Sequence, residues 1–168
     1  SLRRICLRDF VIVSQLELEL AQGFTVLTGE TGAGKSILID ALQMAFGERT
    51  DVSSVREGAQ RAEVSVEFDL NPALREWLEQ SGFEAGEHLL LRRTLDAQGK
   101  SRAWVNGSPA TATQLRELGD QLVDIHGQHA WQSLTRANAV RELLDAYAGV
   151  SASSLQTAWN EWRAAIQT

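Results

Sequence analysis

The stretch Gly29-Glu30-Thr31-Gly32-Ala33-Gly34-Lys35-Ser36 reads GETGAGKS and matches GxxxxGK[ST], a spacing of residue types suited to holding a chain of phosphates. Gly29, Gly32 and Gly34 can take backbone angles closed to residues with a Cβ, and they leave room for main-chain amides to approach phosphate oxygens. Glu30, Thr31 and Ala33 add their own N–H groups to the same cradle. Lys35 is a compact point charge for the β and γ phosphates, and the Ser36 hydroxyl is the expected ligand to Mg²⁺. The expected guest is a nucleoside triphosphate. No Asn-Lys-x-Asp block, the usual reader of guanine, is present, which tilts the choice towards ATP.

This chemistry requires a strand on one side of the loop and a helix on the other. Phe24-Thr25-Val26-Leu27-Thr28 leads in as a strand, and Ile37 to Phe46 leads out with helical patterning, so the positive end of the helix faces the anion. The helix is expected to end at Gly47. Ahead of the loop, Leu2 to Val13 and Gln15 to Leu20 read as extended, the second by alternation of Leu16, Leu18 and Leu20 with Glu17 and Glu19. Glu48 to Gln60 reads as a loop with a short helical turn. Arg61 to Leu70 alternates as a half-buried strand.

Asn71-Pro72 opens a helix that Gly82 closes, with Leu74, Trp77 and Leu78 as its apolar stripe. Leu89 to Leu95 and Arg102 to Asn106 are expected to pair as a hairpin around Ala97-Gln98-Gly99-Lys100. Thr111 and Gln114 form a capping box for a helix through Leu115 and Leu118, and Gln121 to Ile125 is expected to follow as a short strand. Residues 1–150 are thus expected to form one lobe. In residues 151–168, Leu155, Trp159, Trp162 and Ile166 are spaced four, three and four apart. That spacing fits the start of a coiled-coil helix cut from something longer, and over so few turns it also fits an ordinary surface helix.

The 168 residues suit one domain with a real core, and 43% hydrophobic with 23% charged residues is ordinary globular composition. No apolar run is long enough to span a bilayer and Ser1 to Arg4 is not followed by a signal-like segment, so no membrane partner is expected and a cytoplasmic location is. The lone Cys6 reads as a small apolar residue. A net charge of −6 means that any contact with nucleic acid must be local. Three basic groups are candidates: Arg3, Arg4 and Arg8; Arg49, Arg56 and Arg61; and Arg92, Arg93, Lys100 and Arg102. Solvated surface is the plain alternative for each.

The opening Leu2 to Phe10, the block from Gly23 to Leu42, Arg61-Ala62-Glu63-Val64, Ser101 to Gly107 and above all Asp124-Ile125-His126-Gly127-Gln128-His129 together resemble the N-terminal head segment of the RecN family, bacterial DNA-repair relatives of the SMC proteins. The resemblance implies an α/β P-loop NTPase fold of the ABC/SMC head type, a mixed sheet with an antiparallel β subdomain. It also implies that Gln128 contacts Mg²⁺ and positions the attacking water, a job its neutral amide suits; a helix-capping role is the alternative. His126 and His129 lack the Cys, Asp or Glu neighbours that would complete a zinc site. Asp9 and Val11 depart from the family pattern, which commonly has Asn and a basic residue there, and Trp131 stands where a polar residue is usual.

Two pieces of an ATP-hydrolysing site are missing: an apolar run ending in Asp-Glu, and a Ser-Gly-Gly signature loop. In proteins of this kind both return to the head from beyond a long coiled coil. The resemblance therefore implies half of a split ATPase, with ATP and Mg²⁺ as cofactors. Its implied partners are a C-terminal lobe of the same protein, a second head in a homodimer and DNA, on the bacterial nucleoid. Lys35, Ser36 and Gln128 would ready the nucleotide for DNA repair and recombination, and the segment alone is expected to bind ATP without significant turnover. The alternatives are a small-molecule kinase, with Arg92-Arg93 serving as lid arginines, and a scaffold that dimerises without hydrolysis.

Overall fold

The alternation read from the sequence becomes a six-stranded antiparallel sheet in the order β2-β1-β3-β4-β5-β6. The computed structural model describes residues 2–20 and 32–127, together with Val140 and Leu143, and side chains within these except at 32–35 and 124–127. The strands are β1 (Leu2–Phe10), β2 (Val13–Glu19), β3 (Arg61–Asp69), β4 (His88–Asp96), β5 (Ser101–Val105) and β6 (Ser108–Ala110). The helices are α1 (Gly32–Ala45), α2 (Pro72–Gln80) and α3 (Ala112–Gly127), and a single 3₁₀ turn spans Val52–Ser54. The strand expected at residues 24–28, the residues Gly29, Glu30 and Thr31, Gln128, His129 and the expected coiled coil at 151–168 lie outside the described residues.

Register explains why one face of the sheet is apolar. Ile5 sits between Leu18 and Val66, Leu7 between Leu16 and Val64, and Val66 meets Leu91, which in turn meets Val105. Helices α1 and α3 cover this face: α1 lies on β3 and β4, and α3 on β5. Leu38, Leu42, Phe46, Leu115, Leu118 and Leu122 are buried there with the strand residues in one hydrophobic cluster. Phe46 stacks on Phe68 at 5.9 Å between ring centroids. The opposite face carries Arg4, Glu17, Glu63, Glu67, Arg92 and Trp104 and meets water.

Local chemistry sets the ends of the elements. Asn71 accepts the N–H of Leu74 and Pro72 occupies the first turn, so α2 starts where its sequence says it should. Thr111 and Gln114 exchange hydrogen bonds of 3.0 Å in a reciprocal capping box at the head of α3. Two expectations are corrected. The first extended segment does not run to Val13: the chain turns at Val11 and Ile12, with β2 beginning at Val13. Residues 121–125 are not a strand. They continue α3, because Leu115, Leu118 and Leu122 recur at helical spacing and are all buried, a pattern that a short apolar run viewed alone does not reveal. The short edge strand β6 was not foreseen.

Candidate functional site

Helix α1 begins at Gly32, so Gly32, Ala33, Gly34, Lys35 and Ser36 form its opening residues. The first four N–H groups of a helix have no acceptor within it, and the aligned peptide dipoles place partial positive charge at that end. Two of these first residues are glycines. The main chain can therefore approach an anion without a Cβ in the way. Ser36 is exposed at the same end, where a hydroxyl can reach a metal held against phosphate. These residues suit a triphosphate with its magnesium ion. The residues before Gln128 belong to α3 rather than to the strand expected there, and Gln128 itself lies outside the described residues.

What fixes the direction of α1 lies at its other end. Glu48 N–H reaches the carbonyl of Gln43 at 3.0 Å and Gly47 N–H that of Met44 at 3.1 Å, the double bond pattern of a left-handed helix cap. Gly47 has φ +84°, and a Cβ there would stand 2.2 Å from the carbonyl oxygen of Ala112, so glycine is required where α1 crosses the start of α3. Arg93 of β4, only 5% exposed, donates to the Met44 carbonyl at 2.9 Å and to the Glu48 carbonyl, while its Nε donates to Ser101 Oγ at 3.0 Å. Arg116 of α3 donates to the Gly47 carbonyl at 3.1 Å. Two guanidinium groups thus meet the negative end of the helix that opens with the phosphate motif. Burial, and then the neighbouring Arg116, push the Arg93 pKa down. An arginine still stays charged in a protein.

Sequence reasoning missed this clamp. The signal was available: in β4 the apolar face reads Leu89, Leu91, Arg93, Leu95, so one cation sits in a row of leucines. The same observation disposes of the kinase alternative's lid. Arg93 is buried under the sheet, and Arg92 bonds Glu63 at 2.7 Å and lies over the Trp104 ring at 4.3 Å.

Asp9, Val11 and Arg56 come together at the β1–β2 turn. Asp9 and Val11 have φ of +48° and +56°, strained for a β-branched residue at Val11. Val11 N–H donates to the Ser54 carbonyl at 2.7 Å, Arg56 N–H to the Asp9 carbonyl at 2.9 Å, and the Arg56 guanidinium to the Asp9 carboxylate at 3.4 Å. The departure from family pattern at position 9 therefore supplies the carboxylate that Arg56 meets. A cavity of about 340 Å³ between Phe10, Asp40, Met44 and Arg49 lies beside the later turns of α1. Burial raises the pKa of Asp40 at its edge. No helix among the described residues is long and apolar enough to cross a membrane.

Comparison with known proteins narrows the meaning of this arrangement. Residues 4–137 match the family model described as AAA domain. The chain is 44% identical over 169 residues to the DNA repair protein RecN of Xylella fastidiosa (strain Temecula1 / ATCC 700964), covering 98% of this chain and 30% of that protein. It is 42% identical over 168 residues to the DNA repair protein RecN of Vibrio cholerae serotype O1, with the same two shares. The chain thus spans about 30% of the length of the curated relatives it matches. Among solved structures, an SMC ATPase described for its ATP-driven dimerization and DNA-stimulated activation superposes with a TM-score of 0.57 at 20% identity, covering 87% of this chain and 98% of that one. At that identity the likeness is one of fold: an SMC-type ATPase head.

Proposed function

This chain belongs to the AAA-domain family, and from that premise we propose that it is the ATP-binding lobe of an SMC-like ATPase acting in DNA double-strand break repair and recombination. The observation that carries the reading is the joint one: near-complete coverage of the chain by DNA repair proteins, with the phosphate motif opening a helix pinned at its far end. The amides of Gly29 to Lys35 would hold the β and γ phosphates of ATP, Lys35 would bind their charge, and Ser36 with Gln128 would hold Mg²⁺. Magnesium neutralises phosphate charge when bound.

Hydrolysis needs an acidic base and a signature loop, and no Asp-Glu pair or Ser-Gly-Gly loop occurs in these residues. Turnover therefore belongs to an assembly of this lobe with a C-terminal lobe and a second head, acting on DNA at the bacterial nucleoid. Head closure follows from γ-phosphate contacts shared by two heads, and opening from their loss. Steady-state hydrolysis measured on the 168 residues and on the full-length protein tests the division of labour. Negligible turnover by the segment with clear turnover by the whole is expected, and robust hydrolysis by the segment alone contradicts it. Lys35→Ala in the full-length protein should abolish repair of double-strand breaks; intact repair would favour a scaffold that does not hydrolyse ATP.

A further inference from the structure

The fold sorts the basic residues into those already used and those left over. Arg3 pairs with Asp69 at 2.9 Å, Arg4 with Glu17, Arg56 with Asp9 and Arg92 with Glu63, while Arg75, Arg93 and Arg116 are bound to carbonyl oxygens. Arg8, Arg49, Arg61, Lys100 and Arg102 are exposed and make no ion pair among the described residues, and the last three come together at one end of the sheet. They are distant in sequence, yet strand pairing gathers them: Arg61 is opposite Asp96, Arg102 is opposite Thr94, and Lys100 ends the intervening turn. All three line a cleft of about 500 Å³ at this end of the sheet, together with Gln98 and the buried Thr94. Apart from two alanines, every lining side chain is polar or charged. Such a wall suits an anion and offers little to an apolar ligand.

The cleft is held in shape. Gly99, at φ +91°, lets the hairpin turn tightly, Ala97 N–H ties the turn to the Gln60 carbonyl at 2.9 Å, and Asp96 N–H donates to the Lys100 carbonyl at 2.9 Å. Asp96 is the one carboxylate lining the cleft, and its Oδ1 accepts the N–H groups of Gln98 and Lys100 at 2.9 and 2.8 Å. It is thus directed into its own turn, and three cations face one acid whose hydrogen bonds lie elsewhere. In a chain of net charge −6, that is a local reversal of sign.

We propose that this cleft between the start of β3 and the β4–β5 hairpin binds the phosphate backbone of DNA through Arg61, Lys100 and Arg102. Arg61 and Arg102 are rooted two strands apart, about 10 Å across the sheet, so their long side chains reach different phosphates along one backbone. The contacts read charge and carry no base sequence. This inference rests on the DNA-repair reading above and gives that reading a surface.

Binding of a fluorescein-labelled, random-sequence DNA duplex to the full-length protein, measured across a salt series, tests it. Three proteins are compared: wild type, Arg61→Gln/Lys100→Gln/Arg102→Gln, and a control of equal charge loss, Arg3→Gln/Arg4→Gln/Arg75→Gln, whose arginines are already partnered. The cleft variant should bind roughly 10- to 100-fold more weakly, with the slope of log K against log salt reduced by about 2 to 3, and the control should change little. Unchanged thermal melting and MgATP affinity in the cleft variant should accompany the loss, since its three side chains are exposed. Equal affinity of cleft variant and wild type, or equal loss in both variants, overturns the cleft while leaving the proposed function standing. A wild-type protein that binds MgATP but no duplex overturns the cleft and the DNA half of that function together.

Discussion

Arg92 and Arg93 share a hairpin with Lys100 and Arg102, and all four carry the same charge, yet the fold uses the two pairs in opposite ways. The first pair is consumed: Arg92 lies between Glu63 and the face of Trp104, and Arg93 closes the carbonyl end of α1 beneath the sheet. The second pair joins Arg61 around an open cleft with no partner among the described residues. Strand alternation makes the difference, since Arg92 and Arg102 point to the wet face and Arg93 to the core, and cross-strand pairing then decides which cations find a carboxylate. Proximity in sequence is therefore a poor guide to which charges remain available for a partner.

The contrast can be broken by substitution, and the largest effects belong to the buried side. Arg93→Ala should strand the Met44 and Glu48 carbonyls and cost about 3 kcal/mol, read as a fall in thermal midpoint. It should also weaken MgATP binding, because α1 loses its anchor. Gly47→Ala should cost about 2 to 4 kcal/mol, since a methyl group would meet a backbone oxygen in a left-handed conformation. Thr111→Ala removes half of the box that starts α3 and should cost about 1 kcal/mol in denaturant unfolding. The triple change at Arg61, Lys100 and Arg102 should move stability by no more than about 1 kcal/mol, which sharpens the comparison: same hairpin, same charge, no structural debt.

The smallest effect is one of pH. Burial raises the pKa of Asp69, but the hydrogen bond from Arg3 and the nearby charges outweigh it, so the carboxyl is held below its usual value. A carboxylate with a depressed folded value stabilises above its unfolded pKa and loses that contribution as pH falls through the folded one. Acid titration of unfolding should therefore show a shallower acid limb in Asp69→Asn than in wild type. An unchanged limb would mean that the Arg3 pair contributes nothing.

Much of this architecture was legible because β2 and β3 carry period-two alternation and α2 and α3 carry start signals, Asn71-Pro72 and Thr111 with Gln114. The turn at Val11 and Ile12 was not. Neither glycine nor proline marks it, and it is held instead by Ser54 and Arg56, residues remote in sequence. The continuation of α3 was hidden because Gln121 to Ile125, taken alone, is as apolar as a strand. Of the candidate site, the motif and its place at the head of α1 could be read from spacing, whereas the clamp on the far end of that helix was signalled only by Arg93 standing in a row of leucines on β4, and its carbonyl partners on α1 and the contribution of Arg116 depend on tertiary pairing.

The central claim is that the opening turn of α1 holds a nucleoside triphosphate with the help of one ammonium group. Isothermal titration of MgATP into the full-length protein and into its Lys35→Glu variant tests this directly. The account predicts saturable binding by the wild type and at least a roughly 10-fold loss in the variant, a carboxylate having replaced the cation among the phosphates. Absence of heat with the wild type, or equal affinity in both proteins, would contradict it.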